Sequence, residues 1–429
     1  MDSHSIEGHS KNNKGLSKAT LLLALCWVVY TCSYIGKLSY SANLNEIMKE
    51  FGVLKADAGL ISTFFFFAYA TGQIINGLLC KRYNIKYVVF TCLMVGGVMN
   101  MLIATAPFHM LKYVWLVNGI AMSFLWPTLI RLLSETLKRE NVDRAIVVMG
   151  TTVATGTFLV YGMSALFVGI ANYTWTFFLA AALLATVAII WFFSFDGLVK
   201  PLKKEADEEH EAARVEELEK KGTSSGKLAK NFFVVLVCVL AFFAAANNFV
   251  KDGLTGWTPT ILEEVFKTPD WMSILLTLLL PLLAIPGTVL AVKLYNIVKN
   301  FIGTCTLMFV MSGILMGIVI WAIPMGNTVG LVITVTAFSL ISALMNGIDN
   351  IIVSMVPLQL KGKVDSGRLA GVLNGFCYVG STIAMYGLGF IKDALKEWTA
   401  MFYVLLAIAC VIVVVGIIYH FISRKQDIR

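Results

Sequence analysis

About twelve stretches of mostly apolar residues, each long enough for a membrane-crossing helix, run through this chain of 429 residues. A helix needs ~20 such residues to cross the hydrocarbon core of a bilayer. The stretches fall at approximately 19–46, 54–80, 85–105, 110–136, 144–171, 174–195, 231–256, 271–293, 301–323, 328–356, 367–391 and 398–422. They predict an all-α membrane protein with twelve transmembrane helices. Hydrophobic residues make up 58% of the chain and charged ones 14%, which argues for one membrane domain rather than several soluble ones. The net charge of +8 is no nucleic-acid signature in such a chain, because cytosolic loops of membrane proteins are rich in Lys and Arg.

The distribution of those cations predicts an orientation. With both termini cytosolic, about 25 of the 34 Lys and Arg residues fall in cytosolic segments and about 6 outside, while Lys37, Arg131 and Lys251 remain within the helices. A bias of this size predicts cytosolic N and C termini in a multi-pass plasma-membrane protein. The first 18 residues are polar, and the first apolar stretch is too long for a signal-peptide core. The eight cysteines lie in or near the helices without metal-ligand spacing, so neither a disulfide framework nor a metal site is expected. The longest polar interruption contains KKEADEEHEAARVEELEKKG and then a Gly/Ser stretch at 222–226. A short solvated helix followed by a linker is the expectation there. The chain thus divides into a tail (1–18), a six-helix bundle (19–196), a central cytosolic loop (197–230), a second, pseudo-symmetric six-helix bundle (231–422) and a tail (423–429).

Two lysines interrupt the first helix of each half. Lys37 follows Lys18 by 19 residues, and Lys251 follows Lys230 by 21. At ~1.5 Å per residue, both charges reach nearly the same depth. A charge at mid-bilayer costs at least ~2.5–3.5 kcal/mol, so such residues normally face a polar cavity. The pair predicts a central anion site; snorkelling or local pairing of each lysine is the competing reading. Asp252 is a candidate proton carrier or a simple counter-charge, and Asp349 lies in the tenth stretch within NGIDNII. Arg131 and Glu135 are one turn apart and read as a local pair, or with Asp349 as a charged gate. Tyr34, Tyr69, Tyr161, Asn247, Trp257, Asn374 and Tyr378 are candidates to line the cavity, with packing or interface anchoring competing at each. No nucleotide-binding loop, metal cluster or nucleophile–base arrangement occurs, so neither an enzyme nor a cofactor is expected.

Several segments resemble the organophosphate:phosphate antiporter family of the major facilitator superfamily. These are KDGLTGWTPTIL (Lys251–Leu262), NGIAMSFLWPTLIR (Asn118–Arg131), IPGT (Ile285–Thr288), AGVLNGFCYVGS (Ala370–Ser381) and YIGK (Tyr34–Lys37). The resemblance implies two six-helix halves with the substrate between them near the midplane. It places Lys37 and Lys251 where the family has two substrate-phosphate arginines. Gln73 falls where several members carry a lysine and joins the substrate-binding candidates. There are departures. Lys lacks the bidentate fork of Arg, the family's helix 5 histidine is absent, and Lys81 stands where the superfamily usually has Asp. This smaller cation set suits a carboxylate or sulfonate at least as well as a phosphate ester.

The expectation is a secondary transporter of a small organic anion, an organophosphate or sugar phosphate exchanged for phosphate, working by alternating access as a monomer in the bilayer. A proton-coupled symporter of a carboxylate, sulfonate or sugar acid is the first alternative. A transporter-like membrane sensor is the second.

Overall fold

The computed structural model describes residues 17–79, 82–137, 139–219, 230–359 and 366–425. The first 16 residues, Cys80, Lys81, the Gly/Ser stretch at 222–226 and the last four residues lie outside these. Among the described residues, twelve helices are long and apolar enough to span a bilayer. In the first half they are α1 (Lys18–Ala42), α2 (Lys55–Asn76), α3 (Ile85–Thr105), α4 (Phe108–Thr136), α5 (Arg144–Ile170) and α6 (Thr174–Lys204). In the second they are α7 (Val234–Phe266), α8 (Asp270–Val298), α9 (Phe301–Met325), α10 (Thr328–Met355), α11 (Leu369–Leu395) and α12 (Trp398–Ile422).

Local chemistry sets several boundaries. The Ser17 hydroxyl accepts from the Thr20 N–H at 3.2 Å, and the side chains of Asn84, Asn300 and Asn327 cap α3, α9 and α10 in the same way. Each cap satisfies a backbone donor that the helix start leaves free. The first apolar stretch ends sooner than the sequence predicts. The chain turns at Asn43, whose amide donates to the Ser39 carbonyl, and a short helix, Leu44–Phe51, follows. Gly52, at φ 60°, closes that helix in the left-handed conformation. At its other end, α6 does not stop near residue 196: one helix runs from Thr174 to Glu219. The Lys/Glu/Ala run is made of strong helix formers, which carry the helix beyond the apolar segment.

Prolines break three of the spans. Pro127 lacks the N–H that would bond the Ser123 carbonyl, and α4 is interrupted at Phe124. Pro281 and Pro286 leave α8 in three pieces, Asp270–Thr277, Leu279–Leu282 and Ala284–Val298. In α10 the regular helix ends at Asp349 and a π-helical segment, Asn350–Met355, precedes Pro357.

Packing repeats between the halves. The pairs α1–α5, α2–α4 and α3–α6 recur as α7–α11, α8–α10 and α9–α12. The halves meet through α2–α11 and α5–α8, which are equivalent positions in the two repeats. Exposed apolar side chains such as Phe193, Ile314 and Ile383 cover the outside, as a lipid-facing surface requires.

With an even number of spans, the start of α1 and the end of α12 lie at one end of the bundle, the end nearer the termini, and the links α1–α2 and α7–α8 lie at the far end. Polar links between the halves gather at that far end. Lys49 reaches Glu263 at 2.6 Å and Asp270 at 2.5 Å, and Lys55 reaches Glu264 at 2.7 Å. The Ala56 N–H donates to Asp393 at 2.7 Å, and the Thr63 hydroxyl donates to the Thr382 carbonyl at 2.9 Å. The backbones of α2 and α11 meet through glycine: a Cβ on Gly59 would sit 2.4 Å from the Met385 oxygen, and one on Gly389 2.9 Å from the Lys55 oxygen. The molecule is therefore closed at the far end.

Candidate functional site

Lys37 sits in a cage of phenol rings. Its Nζ lies 4.0 Å from the centroid of Tyr34, 4.4 Å from that of Tyr69 and 5.6 Å from that of Tyr30, and it donates to the Tyr69 hydroxyl at 3.2 Å. Tyr30, Tyr34 and Lys37 are spaced to share one face of α1, while Tyr69 comes from α2. Tyr378 of α11 packs on Tyr69 with centroids 4.4 Å apart, so the second half closes the cage. Lys37 is 5% exposed, and no carboxylate among the described residues lies within ion-pair distance of it. A cation over a desolvated ring gains ~2 kcal/mol or so per good contact. The rings thus hold the ammonium in place without cancelling its charge.

Lys251 has a different environment. Its ammonium pairs with Asp349 of α10. The same carboxylate accepts from Asn247 at 2.7 Å and from Asn248 at 2.8 Å, and the Cys377 thiol is 3.9 Å away. Asn247 and Asn248 precede Lys251 by about one turn of α7, so three consecutive positions of one helix face converge on Asp349. The pair is not sealed: 19% of the lysine and 23% of the aspartate side chain remain accessible. Asp252, next along α7, accepts from the Ser381 hydroxyl of α11 at 2.5 Å. Tyr34 lies within electrostatic range of Lys251 and Asp252, which brings the Lys37 cage and the Lys251 cluster to one region between the halves.

The remaining candidates are dispersed. Gln73 spends its amide on the Ser123 carbonyl at 3.1 Å, the acceptor that Pro127 leaves without a helix donor. Its amide nitrogen is thereby engaged in mending α4. Trp257 is fully buried against Gly59, Gly389 and Trp398 in the far-end contact between halves, with centroids 6.1 Å apart for the two indoles. It is packed into that contact and offers no stacking face to a cavity. The Tyr161 ring belongs to an apolar cluster with Ile35, Ile274 and Leu278, within electrostatic range of Asp252. Asn374 is half-buried on α11, one turn before Tyr378. Arg131 and Glu135 pair at 2.6 Å towards the end that carries the termini. Asp349 is engaged with Lys251, Asn247 and Asn248.

Sequence reasoning missed Tyr30, Asn248 and Ser381. The first two were findable, since Tyr30 is seven residues before Lys37 and Asn248 three before Lys251, on the same helix faces. Ser381 required the packing of α11 on α7.

Comparison with known proteins places these features in context. The sequence pattern of the Major Facilitator Superfamily matches residues 26–385. The membrane sensor protein UhpC of Escherichia coli K12 is 21% identical over 90% of this chain and 88% of its own length. The glycerol-3-phosphate transporter of Bacillus subtilis 168 is 25% identical over 86% of this chain and 84% of its own. Among solved structures, a bacterial homolog of the human lysosomal transporter Spinster, inward-facing and occupied, superposes with a TM-score of 0.73. It shows 15% identity and covers 96% of this chain and 98% of that one.

Proposed function

Because this chain belongs to the Major Facilitator Superfamily, we propose that it is a secondary transporter of a small organic anion, with Lys37 as the primary anion-binding residue. An organophosphate or sugar phosphate is the substrate class, and inorganic phosphate is the counter-substrate. The observation that carries this reading is the ammonium of Lys37, caged by Tyr30, Tyr34 and Tyr69 with no carboxylate among the described residues within ion-pair distance. A desolvated cation that keeps its charge attracts an anion, and the phenol hydroxyls offer hydrogen bonds to its oxygens. Lys251 is the second contact, reachable from the cavity. The resemblance to a glycerol-3-phosphate transporter supports the phosphate-ester class.

The basic loops support cytosolic termini. In that orientation the far end faces outwards, and the structure represents a state closed to the outside. Substrate would enter from the cytosolic side of this state, and rocking of the halves about the site would expose it to the other face. Closure then depends on the substrate having different affinities for the two states.

The test is labelled-phosphate uptake into proteoliposomes loaded with phosphate, comparing wild type with Lys37→Ala. Loss of a charge-assisted contact worth ~1.5–3 kcal/mol lowers apparent affinity roughly 10- to 150-fold. Wild-type uptake abolished or weakened to that degree in Lys37→Ala supports the reading. Uptake equal in both would sink Lys37 as the anion site. Absence of uptake in correctly inserted wild-type protein would remove the phosphate substrate class. Phosphate binding without flux would favour the sensor reading, which the similarity to UhpC keeps in view.

A further inference from the structure

Lys251 is paired with a carboxylate of the tenth span that resemblance to a phosphate exchanger does not call for. Asp349 pairs with Lys251 and is held by Asn247 at 2.7 Å and Asn248 at 2.8 Å. We infer that Asp349 is a built-in counter-anion for Lys251, which lets the empty carrier reorient and makes net transport available alongside exchange. This inference rests on the transporter reading.

An alternating-access carrier must close around whatever charge its site holds. Two uncancelled ammoniums repel in a closing, low-dielectric site, so a carrier with Lys251 unneutralised beside the charged Lys37 would turn over only when loaded. That is obligate exchange. With Asp349 in contact, the Lys251 charge is cancelled before substrate arrives. The pair remains partly accessible, so a substrate anion can compete with Asp349 for the lysine. When it does, Asn247 and Asn248 still donate two hydrogen bonds to the displaced carboxylate. Position supports the same role. Asp349 ends the regular part of α10, and the π-helical segment Asn350–Met355 begins at the next residue. Such segments often mark functional sites in helices, and here a change in local winding would move the carboxylate relative to α7.

The test reads the empty carrier directly and needs no known substrate. Thr63 lies at the α2–α11 contact, so a cysteine there becomes reactive when the far end opens. In full-length protein with the native cysteines replaced, reconstituted without ligand, its labelling rate by an impermeant maleimide is compared in three backgrounds. Asp349→Asn removes the carboxylate in contact with Lys251 and is expected to slow labelling about tenfold or more. Asp349→Asn with Lys251→Met removes both charges and is expected to restore a rate near that of the starting protein. Equal rates in all three backgrounds overturn the inference. Slow labelling in both variants overturns it too, because the effect then follows loss of the residue and not of charge balance. Parallel flux with labelled phosphate separates this from the function itself. Uptake into phosphate-free vesicles, lost in Asp349→Asn while exchange persists, supports the inference. Uptake that always requires internal phosphate overturns it and leaves the transporter reading standing. If phosphate is not moved at all, the substrate class fails and the labelling rates still decide the role of Asp349.

Discussion

Replacing Glu263 and Glu264 by Gln should loosen the far end of the molecule. The two substitutions remove the Lys49–Glu263 and Lys55–Glu264 ion pairs, which join the first half to the second at 2.6 and 2.7 Å. These pairs are only half-shielded: Lys49 is 43% and Glu264 34% exposed at the side chain. Water and salt screening therefore limit each to about 0.5 kcal/mol. Together they amount to about 1 kcal/mol, a roughly fivefold shift towards the far-end-open state. Lys49 keeps Asp270 and Glu46 as partners, so the latch weakens without vanishing. Burial pushes the Lys49 ammonium down, but hydrogen bonds to Asp270 and Glu263 outweigh this and hold it above the ordinary lysine value. Its contribution is thus fully present below the ordinary lysine value and is lost only as pH rises through the higher folded one. Spin labels at Leu54 and Leu395, exposed at the far ends of α2 and α11, would report the distance between halves. The population at longer distance should rise about fivefold in the double variant. In 1 M salt, where the screening length is ~3 Å, wild type should move towards the variant. Glu397→Gln, an exposed far-end substitution, serves as control. An unchanged distribution in the double variant, or an equal shift in the control, would refute the view that these pairs hold the end closed.

Two further substitutions test how the scaffold positions the site. Gly59→Ala would place a Cβ 2.4 Å from the Met385 backbone oxygen, so α2 and α11 must separate, whereas a Cβ on Gly387 meets nothing within 4 Å. Disulfide yield between cysteines placed at Thr63 and Thr382 should fall in Gly59→Ala and stay unchanged in Gly387→Ala. Gln73→Leu should lower thermal stability by ~1–3 kcal/mol, since it strands the Ser123 carbonyl. Pro127→Ala restores a backbone donor for that carbonyl, so the double variant should recover much of the loss; additive losses would contradict the repair role of Gln73.

The twelve spans were legible because each is a long apolar run, and hydropathy integrates over a whole helix. Lys37 and Lys251 were legible for the opposite reason, as isolated charges in runs that exclude charge. What failed was pairing. Glu135 follows Arg131 on the same helix, so their contact is local and readable from spacing. Asp349 reaches Lys251 across the α7–α10 contact, and nothing in either segment alone names the other. Gln73 shows the same limit. Its position suggested a ligand contact, but its partner is a carbonyl exposed by a proline on a different helix. For Trp257, lining the cavity and packing compete in the sequence; Gly59 and Gly389 admit its ring into the contact between halves, where it is fully buried.

The charge pattern then assigns different work to the two lysines. Judged by residue type and depth they are equivalent, and a site built from both would hold two positive charges. Asp349 cancels one of them, and the neighbouring Asp252 carboxyl accepts from Ser381. Lys37 is surrounded by phenols, which stabilise an ammonium through their ring faces while contributing no formal charge. Its positive charge therefore persists at the cavity whether or not Lys251 is paired. A symmetric two-cation clamp would favour a dianion and would strongly oppose closure when empty. On the proposed function, an asymmetric site, with Lys37 always available and Lys251 released from Asp349 on demand, would grip a monoanion with the first and reserve the second for ligands able to displace a carboxylate. On that reading, selectivity between monoanions and phosphate esters would be set by the competition at Lys251, tuned by the strength of Asp349's hold through Asn247 and Asn248.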